Sequence, residues 1–461
     1  MISEALFRAV MLTLCRSMAV AGLCTLLAHI CLPTLKQVRF IKRLWWLLLL
    51  PIFMPPLVIG YAYSNVALSL IRHPILNDLL YSLLLAIRFF PVTLLLLHMA
   101  PSAPLTAAAM HNLKLARRSR WTSFMLHGQG RVLAMAFAMV FVLSFTEFEI
   151  TSRMACTHWS IWLFDAQVGG APLRSTLKWL ILPGSVSLAL LWLVFMALPS
   201  TTPRTSLHPT PSSRSMRLRL SLLIGWWLMS LLLCLIIPWW WVLKPAIGAM
   251  PTVITKPEIW QEIGYSVMYA ALSTLLVGML MWMLSFTPRW VRWLMCLPGL
   301  CGSLVVGLII LGLFQMNLFN AMYDTPLPLV LALTWIALPA ALILAPILRQ
   351  RSTSQHLTWL TRLSLNKQHQ TLASHLRWQQ QIRSLLLLSG IIAYITYHDL
   401  PASALLSPPG MQGAVVRLYN LMHYGKYETL SAMVVLTYML PPTVLGLLLV
   451  IARGRKLPDH G

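Results

Sequence analysis

Residues 383–428 read RSLLLLSGIIAYITYHDLPASALLSPPGMQGAVVRLYNLMHYGKYE, and this stretch decides how the chain is organised. An apolar run ends at His398-Asp399, a proline-bearing turn follows, and an amphipathic stretch closes the segment. A weaker copy lies in the first half, where VLAMAFAMVFVLSFTE (132–147) precedes WLFDAQVGG (162–170). Two pairs of corresponding residues lie 252 positions apart, namely Arg131 with Arg383 and Glu147 with Asp399. Four further pairs lie 255 positions apart, namely Leu163 with Leu418, Phe164 with Tyr419, Asp165 with Asn420 and Gly170 with Gly425. The sequence therefore predicts a duplicated unit.

The composition predicts a membrane protein built from helices. The chain is 58% hydrophobic and 10% charged, with a mean hydropathy of +0.74. Hydrocarbon about 30 Å thick needs roughly 20 apolar residues per helical span. Lipid offers no hydrogen-bond partners to the backbone, and no run alternates apolar and polar residues as a barrel strand does. We therefore expect an all-α polytopic fold whose surroundings are the lipid bilayer.

The apolar runs predict about eleven transmembrane helices. They lie at residues 5–32, 44–71, 76–100, 131–150, 176–198, 220–244, 261–285, 294–318, 327–348, 383–400 and 428–451. Most of the 35 Lys and Arg residues fall in loops on one side of this arrangement, which is how membrane topology is encoded. The bias predicts an N-terminus outside and a C-terminus in the cytoplasm. It also explains the net charge of +24 without a nucleic-acid partner.

The two predicted halves are joined by a polar segment. Residues 200–219 are rich in Ser, Thr, Pro and Arg, a composition that is typical of a linker because it has little apolar surface to pack. The sequence thus predicts a first half at 1–199, with five spans, and a second at 220–461, with six. Pro51 precedes Pro298 by 247 positions, and Pro91 precedes Pro339 by 248. The span at 220–244 has no partner in the first half.

The sequence gives no indication of catalysis or of a bound cofactor. The seven cysteines lie mostly in apolar runs and form no C-x-x-C pair, so neither a zinc site nor a disulfide framework is indicated. No Gly-rich loop leads to Gly-Lys-Ser/Thr, and no H-E-x-x-H or G-x-S-x-G pattern occurs. We expect a protein that is not an enzyme, carries no ATPase motif and needs no metal.

HDLPASALLSPPG (398–410) and VVRLYNLMHYG (415–425) resemble the permease subunits of binding-protein-dependent ABC importers. With the proline-bearing spans near Pro51 and Pro298 and the doubled architecture, the resemblance is to fused double permeases of the iron(III) and thiamine uptake type. It implies a channel in the bacterial inner membrane that binds two copies of a cytoplasmic ABC ATPase. It also implies a periplasmic solute-binding protein as a second partner. Iron, thiamine, another cation and polyamines all stay open as solutes.

The resemblance places ATPase contacts in two long basic segments, at about 101–130 and 349–382. The family carries Glu-Ala-Ala followed by Gly there, whereas this chain reads HNLKLARRSR (111–120) and TRLSLNKQHQ (361–370), so the coupling motifs are degenerate. The alternative is that both segments are solvated loops. The predicted coupling residues are Arg117, Arg118, Arg120 and Trp121 in the first segment and Arg362, Lys367 and Arg377 in the second.

Four ionisable residues at span ends are the candidates for the solute path or its gate. Glu147 and Glu149 close one repeat span, and His398 and Asp399 close its counterpart. Ionisable groups at membrane spans are costly and usually face protein or water. The alternative is that they cap helix ends or bond the backbone across a bend. At a helix C-terminus the acids oppose the helix dipole, so we expect a compensating partner.

The outer segments 151–175 and 401–427 are the predicted contacts for a binding protein, through Arg174 in the first and Arg417 and Tyr419 in the second. Two other function classes stay open. One is an ion-gradient-driven secondary transporter, for which polar groups near mid-membrane and broken helices at matched positions are typical. The other is a degenerate permease homologue that acts as a membrane scaffold.

Overall fold

The computed structural model describes residues 4–37, 45–99, 129–197, 213–353, 370–423 and 427–454. Every regular element within these ranges is a helix. The described helices include six that are long and apolar enough to cross a membrane, or up to eight if each of two bent helix pairs counts as one span. The chain is therefore all-α with six to eight candidate membrane-spanning helices.

Within residues 4–37, 45–99 and 129–197, the structure describes eight α-helices. A 3-10 turn, Trp45–Leu49, precedes α2. The helices are α1 (Glu4–Gln37), α2 (Leu50–Phe53), α3 (Pro56–Ser69), α4 (Pro74–Met99), α5 (Gln129–Phe145), α6 (Thr151–Met154), α7 (Trp159–Val168) and α8 (Leu173–Ala197).

Ten further helices follow. They are α9 (Ser213–Leu231), α10 (Ile237–Ile254), α11 (Pro257–Ser285), α12 (Arg289–Leu300), α13 (Ser303–Phe314), α14 (Leu327–Thr353), α15 (Gln370–Tyr397), α16 (Pro401–Leu406), α17 (Ala414–His423) and α18 (Tyr427–Gly454). A π-helical segment, Leu232–Ile236, joins α9 to α10. The predicted basic segment at 349–382 is helical at both ends, because α14 continues to Thr353 and α15 begins at Gln370.

Each of the eleven predicted spans overlaps one or more of the described helices, but the number eleven stays a prediction. Six helices and two bent pairs reach the length and hydropathy of a membrane span. The other three predicted spans correspond to shorter apolar helices, Val132–Phe145, Ser384–Tyr397 and Glu428–Met439.

Two predicted spans, 44–71 and 294–318, are not straight helices. Leu47–Phe53 and Pro56–Ser69 meet at 76°, and Trp290–Leu300 and Ser303–Phe314 meet at 96°. Pro55 and Pro56 stand at the first bend, where they supply no backbone N–H to continue a helix. Gly302 stands at the second bend with φ +101°, which the absence of a Cβ permits. Each pair is therefore either a broken span or a re-entrant segment.

The helix that lacks a repeat partner is longer than predicted. The apolar helical run is Met216–Ile254, 39 residues, where the sequence predicted 220–244. At 1.5 Å per residue it is about 58 Å long, nearly twice the hydrocarbon thickness. Because α9 begins at Ser213, the last residues of the predicted linker 200–219 are also helical.

The chain forms two compact units, Met1–Trp241 with Leu300–Leu304 and Val242–Gly299 with Val305–Gly461. The division within the helix α10 differs from the predicted boundary at 200–219. In the first unit α1, α4 and α5 pack against one another around Tyr81 and Phe141, both fully buried. In the second unit α11, α14 and α15 pack around a core that includes Val277, Ala337 and Ile392.

Candidate functional site

In the first unit, Glu147 lies where the chain leaves α5 and turns into the short helix α6. Its Oε1 accepts a hydrogen bond from the Ile150 backbone N–H (2.7 Å) and its Oε2 accepts one from the Thr151 N–H (3.1 Å). The Thr151 hydroxyl (2.7 Å) and the Tyr81 hydroxyl (3.2 Å) also donate to Oε2. The carboxyl group is thus held by four donors in a site where only 7% of the residue is exposed.

These bonds supply the compensating partner that the sequence led us to expect. Although Glu147 follows the C-terminus of α5, its carboxyl group faces the first N–H groups of α6. Helix N-terminal N–H groups have no intrahelical acceptor and attract negative charge. The geometry therefore favours the capping alternative for Glu147 over a free gate residue.

Glu149 makes a similar bond to a more distant part of the first unit. Its Oε2 accepts a hydrogen bond from the Leu57 N–H (3.1 Å), at the second residue of α3. The carboxyl group thus caps the helix that begins at the 76° bend. The helix α3 also packs closely against the 149–150 backbone at Gly60. A Cβ added at Gly60 would lie only 3.1 Å from Ile150 Cα and 3.2 Å from the Glu149 carbonyl oxygen.

A half-buried ion pair near this corner was not predicted as a site. The Arg16 guanidinium on α1 lies 2.9 Å from Asp78 Oδ2 on α4 and donates to the Thr157 carbonyl oxygen at 2.6 Å. Asn77 Nδ2 donates to the Met154 carbonyl oxygen at 2.7 Å, which ties α4 to the end of α6. The signal in the sequence was an Arg and an Asp inside two predicted spans, since such residues usually pair.

His158 begins the helix α7 in this part of the first unit. Its Nδ1 accepts a hydrogen bond from the Ser160 N–H (3.2 Å) and lies 2.7 Å from the Ser160 hydroxyl oxygen. Burial, and then the charge on Arg16, lower the pKa of His158 to about 3. The imidazole is therefore neutral and caps its helix without adding charge to the site.

The second unit contains a corresponding corner. Asp399 follows α15, and its Oδ1 accepts a hydrogen bond from the Ala402 N–H (3.1 Å) at the second residue of α16. A Cβ at Gly307 on α13 would lie 3.5 Å from Ala402 Cα and 3.2 Å from Leu405 Cδ1. The predicted gate residue Asp399 thus also caps a short helix.

His398, the fourth gate candidate, has different surroundings. Its ring centroid lies 4.4 Å from that of Tyr394, 4.8 Å from that of Tyr397 and 4.6 Å from that of Tyr438. The residue is 6% exposed, and among the described residues neither ring nitrogen has a hydrogen-bond partner.

In the second unit, two side chains of α11 form hydrogen bonds with the backbone before and at the start of α17. Ser266 Oγ accepts a hydrogen bond from the Ala414 N–H (2.8 Å), and the Tyr269 hydroxyl donates to the Met411 carbonyl oxygen (2.9 Å). Arg417 is nearly half exposed and its Nε lies 3.8 Å from Glu262 Oε1. This predicted partner contact therefore already has an acidic neighbour.

The remaining predicted residues are located only in part. Arg174 is exposed at the start of α8, and Tyr419 is half-buried on α17. Arg377 lies in α15, whose backbone alone is described at that position. The other coupling candidates, Arg117, Arg118, Arg120, Trp121, Arg362 and Lys367, lie outside the described residues.

Comparison of the chain with protein-family models, with curated proteins and with solved structures found no match. Within the described residues, no three His, Cys, Asp or Glu side chains form a group that could hold a metal ion.

Proposed function

We propose that the chain is a tandem duplication of one membrane bundle. Corresponding helix ends in the two parts of the chain are separated by the same number of residues as the matched residues near them. The helices that follow the bends, α3 and α13, begin 247 positions apart, as Pro51 and Pro298 are. The helices α5 and α15 end 252 positions apart, as Glu147 and Asp399 are. The ten-residue helices α7 and α17 are 255 apart, as Leu163 and Leu418 are.

Packing inside each unit supports the same proposal. The helices α1, α4 and α5 pack together as α11, α14 and α15 do, and α5 packs on α8 as α15 packs on α18. In both corners an acidic side chain accepts a hydrogen bond from the backbone N–H three residues later, Glu147 from Ile150 and Asp399 from Ala402. A glycine also lies close to the short helix of each unit, Gly60 to the start of α6 in the first unit and Gly307 to α16 in the second. Chance matching of apolar runs does not produce this set of contacts.

We propose further that the duplicated chain is the permease subunit of an ABC-type importer. Both halves would come from one polypeptide in the bacterial inner membrane, and a separate cytoplasmic ATPase, in two copies, would drive transport. The observation that carries the proposal is the repeated helix order combined with the residues 398–425 that resemble such permeases. ATP binding would have to favour either the inward-facing or the outward-facing state of the solute path. The segments 101–130 and 349–382 are the predicted contacts through which the ATPase would act on that equilibrium.

Purification of the whole complex tests this proposal. The tagged full-length chain, extracted in mild detergent from its native membrane, should co-elute with an ATPase subunit at two copies per chain. A variant with Arg117, Arg118 and Arg120 replaced by Gln should lose the ATPase, whereas a variant with the exposed Arg72 replaced should keep it. If the intact chain elutes without an ATPase under conditions that keep other importers whole, the proposal is wrong.

One feature favours an ion-gradient-driven secondary transporter as the second candidate. The two bent helix pairs stand at matched positions, and such broken helices are typical of ion-coupled carriers. The half-buried pair of Arg16 and Asp78 also lies inside two candidate spans. Uptake by proteoliposomes that hold the purified chain, an ion gradient and no ATP would support this candidate. A chain that neither binds an ATPase nor transports would fit a membrane scaffold.

A further inference from the structure

The corner after α5 and its counterpart after α15 differ in chemistry. Phe145 of the first unit corresponds to Tyr397 of the second, 252 positions later. Phe145 stacks on Phe141 with ring centroids 5.4 Å apart and lies 5.6 Å from the ring of Trp159. Trp159 Nε1 donates to the Phe145 carbonyl oxygen (2.7 Å). This corner of the first unit is thus lined by aromatic rings, and two polar atoms beside them, Ser144 Oγ and His158 Nε2, have no hydrogen-bond partner among the described residues.

In the second unit the same position is buried but polar. His398 and Tyr397 are 6% and 5% exposed. Within the part of the chain that the structure describes, three of their polar atoms have no hydrogen-bond partner, namely the two imidazole nitrogens and the Tyr397 hydroxyl oxygen. Tyr438 on α18 covers the imidazole, with ring centroids 4.6 Å apart. The site therefore lies between the end of α15 and the first half of α18.

The helix α18 contributes two more unsatisfied hydroxyls. Ser431 and Thr437 are fully buried, and neither hydroxyl oxygen has a hydrogen-bond partner in the described ranges. Ser431 lies two turns before Tyr438 and so on the same helix face, while Thr437 is the adjacent residue. Elsewhere in this unit buried hydroxyls bond to a backbone carbonyl, as Thr396 and Thr334 do.

Five buried polar atoms without partners on two packed helices are costly unless another molecule satisfies them. A buried donor or acceptor left unpaired costs about 1–3 kcal/mol, and most such groups in native proteins are paired. Buried water fills polar sites of this kind when they offer two to four partners. The imidazole and the three hydroxyls can each donate and accept, so they suit a guest that does both.

The charges around the site set a further condition. Asp399 follows His398 directly, while residues 384–397 of α15 and 428–452 of α18 include no Lys or Arg. The nearest fixed charge along the chain is thus negative, which disfavours an anionic guest. The three tyrosine rings are compatible with a cation, whose charge their faces attract.

We propose that the second unit holds a water-accessible binding site for a hydrogen-bonding solute without negative charge, formed by His398, Tyr397, Ser431 and Thr437. At the corresponding position of the first unit, Phe145 replaces Tyr397 and brings no hydroxyl group. The inference rests on the proposed function, because it gives the transported solute its contact residues in one half of the chain. The predicted gate residue His398 is then part of a binding site.

Thiol accessibility tests the proposal on the full-length chain in proteoliposomes. Ser431→Cys is matched with Ser273→Cys, since Ser273 is also fully buried but donates to the Val330 carbonyl oxygen (3.3 Å). A cationic and an anionic methanethiosulfonate of similar size are the probes. Mass spectrometry of the peptides that contain residues 431 and 273 reads the modification, so the native cysteines can stay. Thr437→Cys serves as the second site variant if Ser431→Cys is not recovered folded.

We expect the thiol introduced by Ser431→Cys to react with the cationic reagent, while the thiol introduced by Ser273→Cys stays protected. Compared with the ratio of the two reagents' rates on a small free thiol, the anionic reagent should be about tenfold slower at residue 431, because the carboxylate next to His398 disfavours an anion in the site. Equal protection of both introduced thiols would mean a dry site and would overturn the proposal, as would a rate ratio at residue 431 equal to that on the free thiol. The result does not depend on whether an ATPase co-elutes, so this proposal and the proposed function can fail separately.

Discussion

Individual side chains in this protein hold helix ends that composition alone does not position. Glu147 bonds to the start of α6, Glu149 to the start of α3, and Asp399 to the start of α16. In each case a carboxylate replaces the acceptor that the first turn of a helix lacks. Because lipid cannot supply such acceptors, these contacts matter more here than on a wetted surface.

Replacing Glu147 distinguishes the capping role from a gate. Glu147→Ala leaves two backbone N–H groups and the Tyr81 hydroxyl without their acceptor, while the Thr151 hydroxyl keeps the Tyr81 oxygen (2.7 Å) as an acceptor, so we expect a loss of stability of about 2 kcal/mol or more. Glu147→Gln keeps one acceptor oxygen and should lose less. The exposed Glu258→Ala is the control and should change stability by under about 0.5 kcal/mol. Thermal unfolding in detergent measures all three. Unchanged stability with altered transport would restore the gate interpretation.

The pair of Arg16 and Asp78 should show strong coupling in a double-mutant cycle. Arg16→Met leaves the Asp78 carboxylate without its partner inside a span, and breaking a buried pair typically costs about 3–5 kcal/mol. Because Asp78 is 34% exposed, we expect the lower end of that range. Adding Asp78→Leu should recover part of the loss.

The matched control is the pair of Arg417 and Glu262. Its atoms are 3.8 Å apart and Arg417 is 44% exposed, so its coupling energy should stay under about 0.5 kcal/mol. Coupling energies that are equal for the two pairs would contradict the interpretation of Arg16 and Asp78 as a half-buried structural pair.

The close packing of several helices requires glycine at the points of contact, where a Cβ would meet the neighbouring element. A Cβ at Gly299 in α12 would overlap the carbonyl oxygen of Trp335 in α14. At Gly60 the added atom would lie 3.0–3.2 Å from the 149–153 segment, mostly against backbone. At Gly307 the nearest atom is the flexible end of Leu405, 3.2 Å away. These contacts predict an order of sensitivity at the level of helix packing.

Alanine at these glycines should destabilise the protein in the order Gly299, Gly60, Gly307. The contact partners explain the order, because backbone cannot move aside whereas a leucine end can. Gly264→Ala in α11 is the control, since nothing lies within 4 Å of its added Cβ and alanine favours helix by about 1 kcal/mol. Thermal unfolding temperatures in detergent check the series. A destabilisation at Gly264 as large as at Gly60 would contradict the argument.

The helices themselves were predictable from the sequence, whereas the way they turn was not. Apolar runs located α1, α4 and α11, because a membrane span needs only length and hydropathy. The prolines near residue 55 indicated a bending point, but the 76° bend also involves the bond from Glu149 to Leu57, 92 positions away. The structural role of Glu147 depends likewise on Tyr81, a contact between two spans that no local pattern encodes.

At the scale of the whole molecule, three short helices decide the topology. If both bent pairs cross the membrane, they and the six long helices of the described residues give eight crossings, an even number that places both termini on one side of the membrane. If Val132–Phe145, Ser384–Tyr397 and Glu428–Met439 also cross, the number is eleven and the termini lie on opposite sides. The distribution of basic residues favours eleven.

Single cysteines on either side of α5 test this count. With eleven crossings, Asp165→Cys on α7 should react with a membrane-impermeant maleimide in intact cells, because Asp165 is exposed and would face outside. Arg117→Cys should react only after permeabilisation. At 17 residues α5 is about 26 Å long, close to the hydrocarbon thickness, so a crossing is physically feasible. If both positions react from the same side, α5 does not cross, and the segment 101–130 could not serve as a cytoplasmic ATPase contact while 151–175 faces a binding protein outside.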